Sequence, residues 1–162
     1  MASRGMTAAP PDCWGTTIFC DDIRSEAGGK ITLVGMYPVS LQVHSPFPVT
    51  LAKFGFWFRY FERPKGRTGN GKLLVWLPGD QNTASIEADL PLDDIRKPHD
   101  GPPPEHAVEG EFLHLWQAPM LFAPLLLLKA GRVSVRLHLA DGTIVPLGTL
   151  PITGPEEANP QS

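Results

Sequence analysis

Between Val49 and Phe61 the chain alternates, with Phe54, Phe56, Phe58 and Tyr60 on one face and Gly55, Trp57, Arg59 and Phe61 on the other. A period of two identifies a β-strand, because successive side chains leave opposite sides of a sheet. Large aromatics on both faces predict a central strand. Seven further extended segments are visible: 16–22, 30–43, 72–77, 83–90, 108–117, 132–139 and 143–152. Gly35 and Pro38 predict a bulge or kink in the second of them. Ala84, Ile86, Ala88 and Leu90 alternate with Ser85, Glu87 and Asp89, as in a strand with one wet face. In the final pair, Val133, Val135, Leu137 and Leu139 oppose Arg132, Ser134, Arg136 and His138, and Asp141-Gly142 supplies positive φ angles for a tight hairpin turn.

No segment carries a capped helical stripe; Pro91–Arg96 is compatible with one helical turn. The pattern predicts an all-β fold, a single-domain antiparallel β-sandwich of about eight strands, with a small β-barrel as the alternative. Residues 1–12 read as a flexible arm, 13–152 as the sandwich and 153–162 as a flexible tail. The tetrapeptide Asp-Asp-Ile-Arg occurs at 21–24 and 93–96 with unlike flanks, which reads as coincidence.

At 162 residues the chain fits one domain and needs no metal or disulfide staple. A charged fraction of 19% against 42% hydrophobic marks a globular chain, and a net charge of −3 gives no overall attraction to nucleic acid or anionic membrane. Cys13 and Cys20 read as two reduced thiols rather than a disulfide framework. The longest apolar run, Ala118–Leu128, is broken by Pro119 and Pro124 and falls short of the roughly 20 residues of a membrane span. No secretory signal is visible at the N-terminus, so the expected location is cytoplasmic.

The run Phe19-Cys20-Asp21-Asp22-Ile23-Arg24, then Glu26, Gly28-Gly29-Lys30 and Leu33-Val34-Gly35-Met36-Tyr37, resembles the N-terminal signature of an uncharacterised family of bacterial and phage-encoded proteins, a domain of unknown function. Gly131, the alternating valines, Asp141-Gly142 and Leu147-Gly148 are similar to that family's last hairpin. The resemblance implies a β-sandwich without an assigned activity and transfers no catalytic residue.

Four groups of residues invite a chemical reading. Gly66-Arg67-Thr68-Gly69-Asn70-Gly71-Lys72 matches G-x-x-x-x-G-K, yet Leu73 replaces the magnesium-binding hydroxyl and a strand follows instead of a helix. It reads as a hairpin loop, with Arg63, Lys65, Arg67 and Lys72 as the one local cationic patch. Asp21, Asp22, Arg24, Glu26 and Lys30 form the densest polar group; paired carboxylates there suit a hard cation or acid–base work, but Asp at a strand end also organises turns. Asp80, Asp89, Asp93, Asp94 and Asp100 are available to complete a calcium site, without a ligand spacing. His99 and His106 flank three prolines without a zinc spacing, and no G-x-S-x-G elbow is present.

The aromatics Trp57, Phe61, Trp76 and Trp116 exceed what one thin core needs, and those left outside predict an interface. The expectation is therefore a non-catalytic protein-binding or structural module with an unknown protein partner or a second copy, and no cofactor. A metal-assisted enzyme, or a calcium-dependent sandwich using the loop carboxylates, is the alternative.

Overall fold

The computed structural model describes residues 11–97 and 113–155. Its strands are β1 (Cys13–Ser25), β2 (Ile31–Met36), β3 (Leu41–Gln42), β4 (Val49–Leu51), β5 (Phe54–Glu62), β6 (Gly71–Trp76), β7 (Ile86–Leu90), β8 (His114–Phe122), β9 (Leu125–Leu127), β10 (Gly131–Leu139) and β11 (Ile144–Thr153). A single 3-10 turn, Leu92–Asp94, is the helical content of the described residues. The fold is all-β, as the alternation predicts. One sheet has the order β2-β1-β5-β8, the other β3-β11-β10-β6-β7, and β4-β9 form a short ribbon. Every pairing is antiparallel except β3 with β11.

The count exceeds eight because two expected runs break in two and β9 falls where the alternation predicts no strand. The run at 30–43 ends its first ladder before Pro38, and its remainder crosses to the other sheet as β3. The run at 49–61 divides at Ala52-Lys53. Among the described residues the strand expected over 108–117 is β8, which continues to Phe122, and β9 follows beyond Pro124. Proline cannot donate to a ladder, so an apolar run that contains one is a poor guide to strand continuity.

The core follows from β5, which pairs with β1 on one side and β8 on the other. Phe54, Phe56, Phe58 and Tyr60 point inward and are at most 1% exposed. Phe19 lies opposite Phe56 and joins the row, while Val133, Val135, Leu137 and Leu139 of β10 close over it from the second sheet. The two sheets approach closely where β1 passes β11. A Cβ on Gly15 would lie 2.1 Å from Leu147 Cδ2, and one on Gly148 would lie 2.7 Å from Thr17 Cβ. No other residue type permits that approach.

The last hairpin departs from its expected form in two ways. The bond from Leu139 N–H to Thr143 C=O encloses three residues, and only Gly142 has a positive φ, so Asp141 does not share that role. Such a turn fits a glycine-terminated three-residue loop rather than a two-residue one. Between Val135 and Arg136 the register slips by one, leaving Leu147 as an extra residue on β11. Val145 and Leu147 before the slip and Leu150 and Ile152 after it are all buried. The expected terminal arm and tail lie mostly outside the described residues. Asp12 and Thr153 themselves are bonded into the domain, through Arg63 N–H to Asp12 C=O and Val43 N–H to Thr153 C=O.

Truncating the inward row should be costly. Phe56→Ala and Phe58→Ala are each expected to lose about 3–5 kcal/mol in urea melts, as buried aromatics do. A loss below about 1 kcal/mol at either position would contradict the packing described.

Candidate functional site

The hairpin joining β1 to β2 carries the expected polar group, and the structure separates its members. Asp22 accepts from Ile23 N–H at 3.0 Å, from Lys53 Nζ at 3.0 Å and from Arg24 Nε at 3.4 Å. Hydrogen bonding from the Lys53 ammonium holds the Asp22 carboxyl below its usual range. Asp21 accepts instead from the Tyr37 hydroxyl, whose pKa burial and this bond push above the ordinary tyrosine value. Glu26 and Lys30 close the turn through Glu26 N–H to Lys30 C=O, with both side chains exposed. The five residues thus stand in a line along a hairpin and do not converge. Among the described residues no group of three or more His, Cys, Asp or Glu gathers as a metal site.

The other candidate carboxylates serve their own loops. Asp80 receives Leu77 N–H at 2.9 Å, Ser85 N–H at 2.8 Å and the Ser85 hydroxyl at 2.8 Å. Burial opposes its charge, but these bonds win and its pKa lies below the usual value. Asp94 pairs with Lys97 and Asp89 lies opposite Lys72 across β6 and β7. His99, Asp100 and His106 lie outside the described residues. His44 is exposed, and His114 and His138 are half-buried on separate strands. Both thiols are free, and burial pushes each above its ordinary pKa, away from a nucleophile's range.

The glycine loop is filled by the protein itself. Gly69 N–H donates to Asp93 at 2.8 Å and Gly69 C=O accepts from Arg96 at 2.6 Å, so a carboxylate occupies the place an anion would take. β6 begins at Gly71, as a strand rather than a helix. The expected cationic patch is corrected as well: Lys65 pairs with Asp12, Arg67 with Asp141 and Lys72 with Glu87.

Behind this loop lies a group that the sequence reading missed. Glu62 is 1% exposed and accepts two bonds of 2.8 Å from the Arg96 guanidinium, plus one from the Tyr60 hydroxyl. Burial works against its charge, yet the Arg96 fork and the Tyr60 hydroxyl hold its pKa below the usual glutamate value. Glu62 continues the inward parity of Phe54 through Tyr60, so the alternation carried one residue further would have placed an acid in the core. Its partner was hidden by sequence distance. The arrangement is structural: both carboxylate oxygens accept from donors of the fold.

The aromatics divide between three environments. Trp116 stands opposite Tyr60 and packs against the core. Trp76 lies on the outer face of the five-stranded sheet, with the Arg136 guanidinium 4.7 Å from its ring centre. Trp57 and Phe61 share the outer face of the four-stranded sheet, where the registers set residues side by side. Leu115, Phe61 and Trp14 form one row, Gln117, Arg59 and Thr16 the next, then Pro119, Trp57 and Ile18, then Leu121, Gly55 and Cys20. Trp14 stacks on Phe61 at 5.4 Å and the Arg59 guanidinium covers Trp57 at 4.0 Å. Ile18, Leu115 and Leu121 are 38%, 42% and 44% exposed. No carboxylate stands in these four rows, and the covered Nε atoms of Arg59 and Arg63 have no acceptor among the described residues.

The buried pair makes a pH prediction. Because the folded pKa of Glu62 is lowered, its contribution is full above the unfolded glutamate value and is lost as pH falls through the folded one. Glu62→Gln should therefore flatten the acid limb of stability and, by removing the buried partner of Arg96 and leaving it only the exposed Asp93, cost about 3–5 kcal/mol near neutral pH. Urea melts from pH 3 to pH 7 check both. Among the described residues no helix is long and apolar enough to cross a membrane. Comparison of the chain with protein-family models, curated proteins and solved structures gives no match.

Proposed function

We propose that the protein is a non-catalytic binding module that docks another protein on the outer face of its four-stranded sheet. The observation that carries this reading is the character of that face. Solvated sheet faces ordinarily alternate to polar residues on the outside, whereas here the outward positions hold Trp14, Ile18, Trp57, Phe61, Leu115 and Leu121. Flat aromatic area beside arginine is the composition of interface hot spots.

The partner's chemistry follows from the charges. Arg59 and Arg63 lie over Trp57 and Trp14, at 4.0 and 5.9 Å from the ring centres; no acid stands in the rows around Arg59, and Asp12 beside Arg63 is taken up by Lys65. A complementary surface offers aliphatic side chains with carboxylates among them. A second copy fits less well, because a two-fold contact would set the same cationic patch against itself.

Affinity capture from the source cells, with partners identified by mass and sedimentation run on the purified protein, tests the proposal. The partner should be retained by the parent and by Arg136→Ala on the opposite sheet. It should be lost by folded Leu115→Asp and Arg59→Glu variants, and weakened by added salt. A partner held equally by all variants, or no partner at all, overturns the reading. A dimer in sedimentation that Leu115→Asp dissolves also overturns it and makes a second copy the occupant.

A further inference from the structure

On the opposite side of the molecule a groove of about 700 Å³ runs over the five-stranded sheet, between the loop joining β6 to β7 and the turn joining β9 to β10. Trp76 and Ser134, direct partners across β6 and β10, form its floor, and Lys129, Arg132 and Arg136 line it. Arg132, Ser134 and Arg136 leave the same face of β10, with the arginine Cα atoms about 13 Å apart at the usual rise of a strand. We propose that this groove binds a small ligand carrying at least two phosphate or sulfate groups.

Three observations support that chemistry. The charges of Lys65, Arg67, Lys72, Arg96 and Lys97 are each met by a carboxylate, while Lys129, Arg132 and Arg136 have no ion pair or side-chain hydrogen bond among the described residues. The unmatched cations of this sheet therefore gather in one groove. Asp80, the carboxylate lining the same groove, turns its oxygens to Leu77 and Ser85, so it shapes the loop without pairing with these cations. Finally, the Arg136 guanidinium lies 4.7 Å from the Trp76 ring centre, which limits its rotamers. A held planar fork matches the oxygens of a tetrahedral oxyanion, and a flexible ammonium at Lys129 adds charge without geometry. Gln81 and Asn82 at the rim supply neutral amides for the body of the ligand. Three unmatched cations call for more negative charge than one inorganic anion carries, which is why the ligand carries two such groups.

Calorimetric titration of the full chain with inorganic pyrophosphate and with a disulfated disaccharide tests the proposal and separates its two sources. At low salt at least one probe should saturate a single site, and binding should weaken as salt is added. Arg132→Ala and Arg136→Ala should each weaken it by about tenfold or more, the usual loss of a charged hydrogen-bond partner. Arg136→Lys, which keeps the charge but not the fork, should weaken it as well and covers the case in which the alanine variant does not fold. Lys30→Ala and Leu115→Asp, remote from the groove, should bind as the parent does, so failure of the docking reading leaves this one standing. Absence of saturation with both probes overturns the proposal, and so does binding that the arginine variants leave unchanged.

Discussion

The row of Phe54, Phe56, Phe58 and Tyr60 on β5 obliges the chain to build two layers, because a strand that buries four rings on one face must be covered by something equally apolar. β10 supplies that cover with Val133, Val135, Leu137 and Leu139, and β1 and β8 shield the row from either edge. At the end of the same row the apolar series stops at a carboxylate. Glu62 stays charged there because Arg96, whose backbone N–H bonds to Asp93, arrives with a matching fork and also ties down the Gly69 carbonyl. One ion pair thus links the central strand, the 3-10 turn and the glycine loop. Buried pairs of this kind specify an arrangement more than they stabilise it. Here the specified arrangement is the closed end of the sandwich.

The two outer faces differ in kind although they cover a common core. On the four-stranded sheet the arginines lie over tryptophans within an apolar field, so their charge is presented on a dry surface. On the five-stranded sheet Arg136 also lies over a tryptophan, but beside a polar groove that Asp80 holds open. The same pairing of guanidinium and indole therefore serves two surroundings. Its effect depends on what stands around it: leucine and phenylalanine in one case, amides and a second arginine in the other.

Much of the architecture was legible because burial leaves a period. The centrality of β5, the inward set of β10 and the facing of Trp57 with Phe61 all follow from parity. Chain breaks were less legible, since Pro38 and Pro124 interrupt apolar runs whose halves belong to different sheets. Within the polar group on the β1–β2 hairpin, Asp22 takes the Ile23 N–H and the Arg24 guanidinium, as a turn-organising carboxylate does, while the other members spread along its length. Glu26 and Lys30 sit at the tip while Asp22 turns back to Lys53. Pairings across long separations, such as Glu62 with Arg96 and Arg67 with Asp141, carry no local signal. For that reason the glycine loop looked cationic in sequence and is compensated in space. The gathering of Lys129, Arg132 and Arg136 around Trp76 was half visible, as an outward row, and lacked only the knowledge that β6 lies beside β10.

The extra residue at Leu147 acts on β11 as a change of reading frame. Before it the odd-numbered positions Val145 and Leu147 face the core, and after it the even-numbered Leu150 and Ile152 do. The chain can therefore be apolar at both sets of positions without exposing either. Removing Leu147 would restore an unbroken ladder with Arg136 still opposite Pro146 and Val135 opposite Gly148, and Leu150 and Ile152 would keep facing the core. That deletion would cost the fold one buried side chain, whereas a deletion within β10, which pairs with β6 in unbroken register, would turn the positions beyond it to the other face.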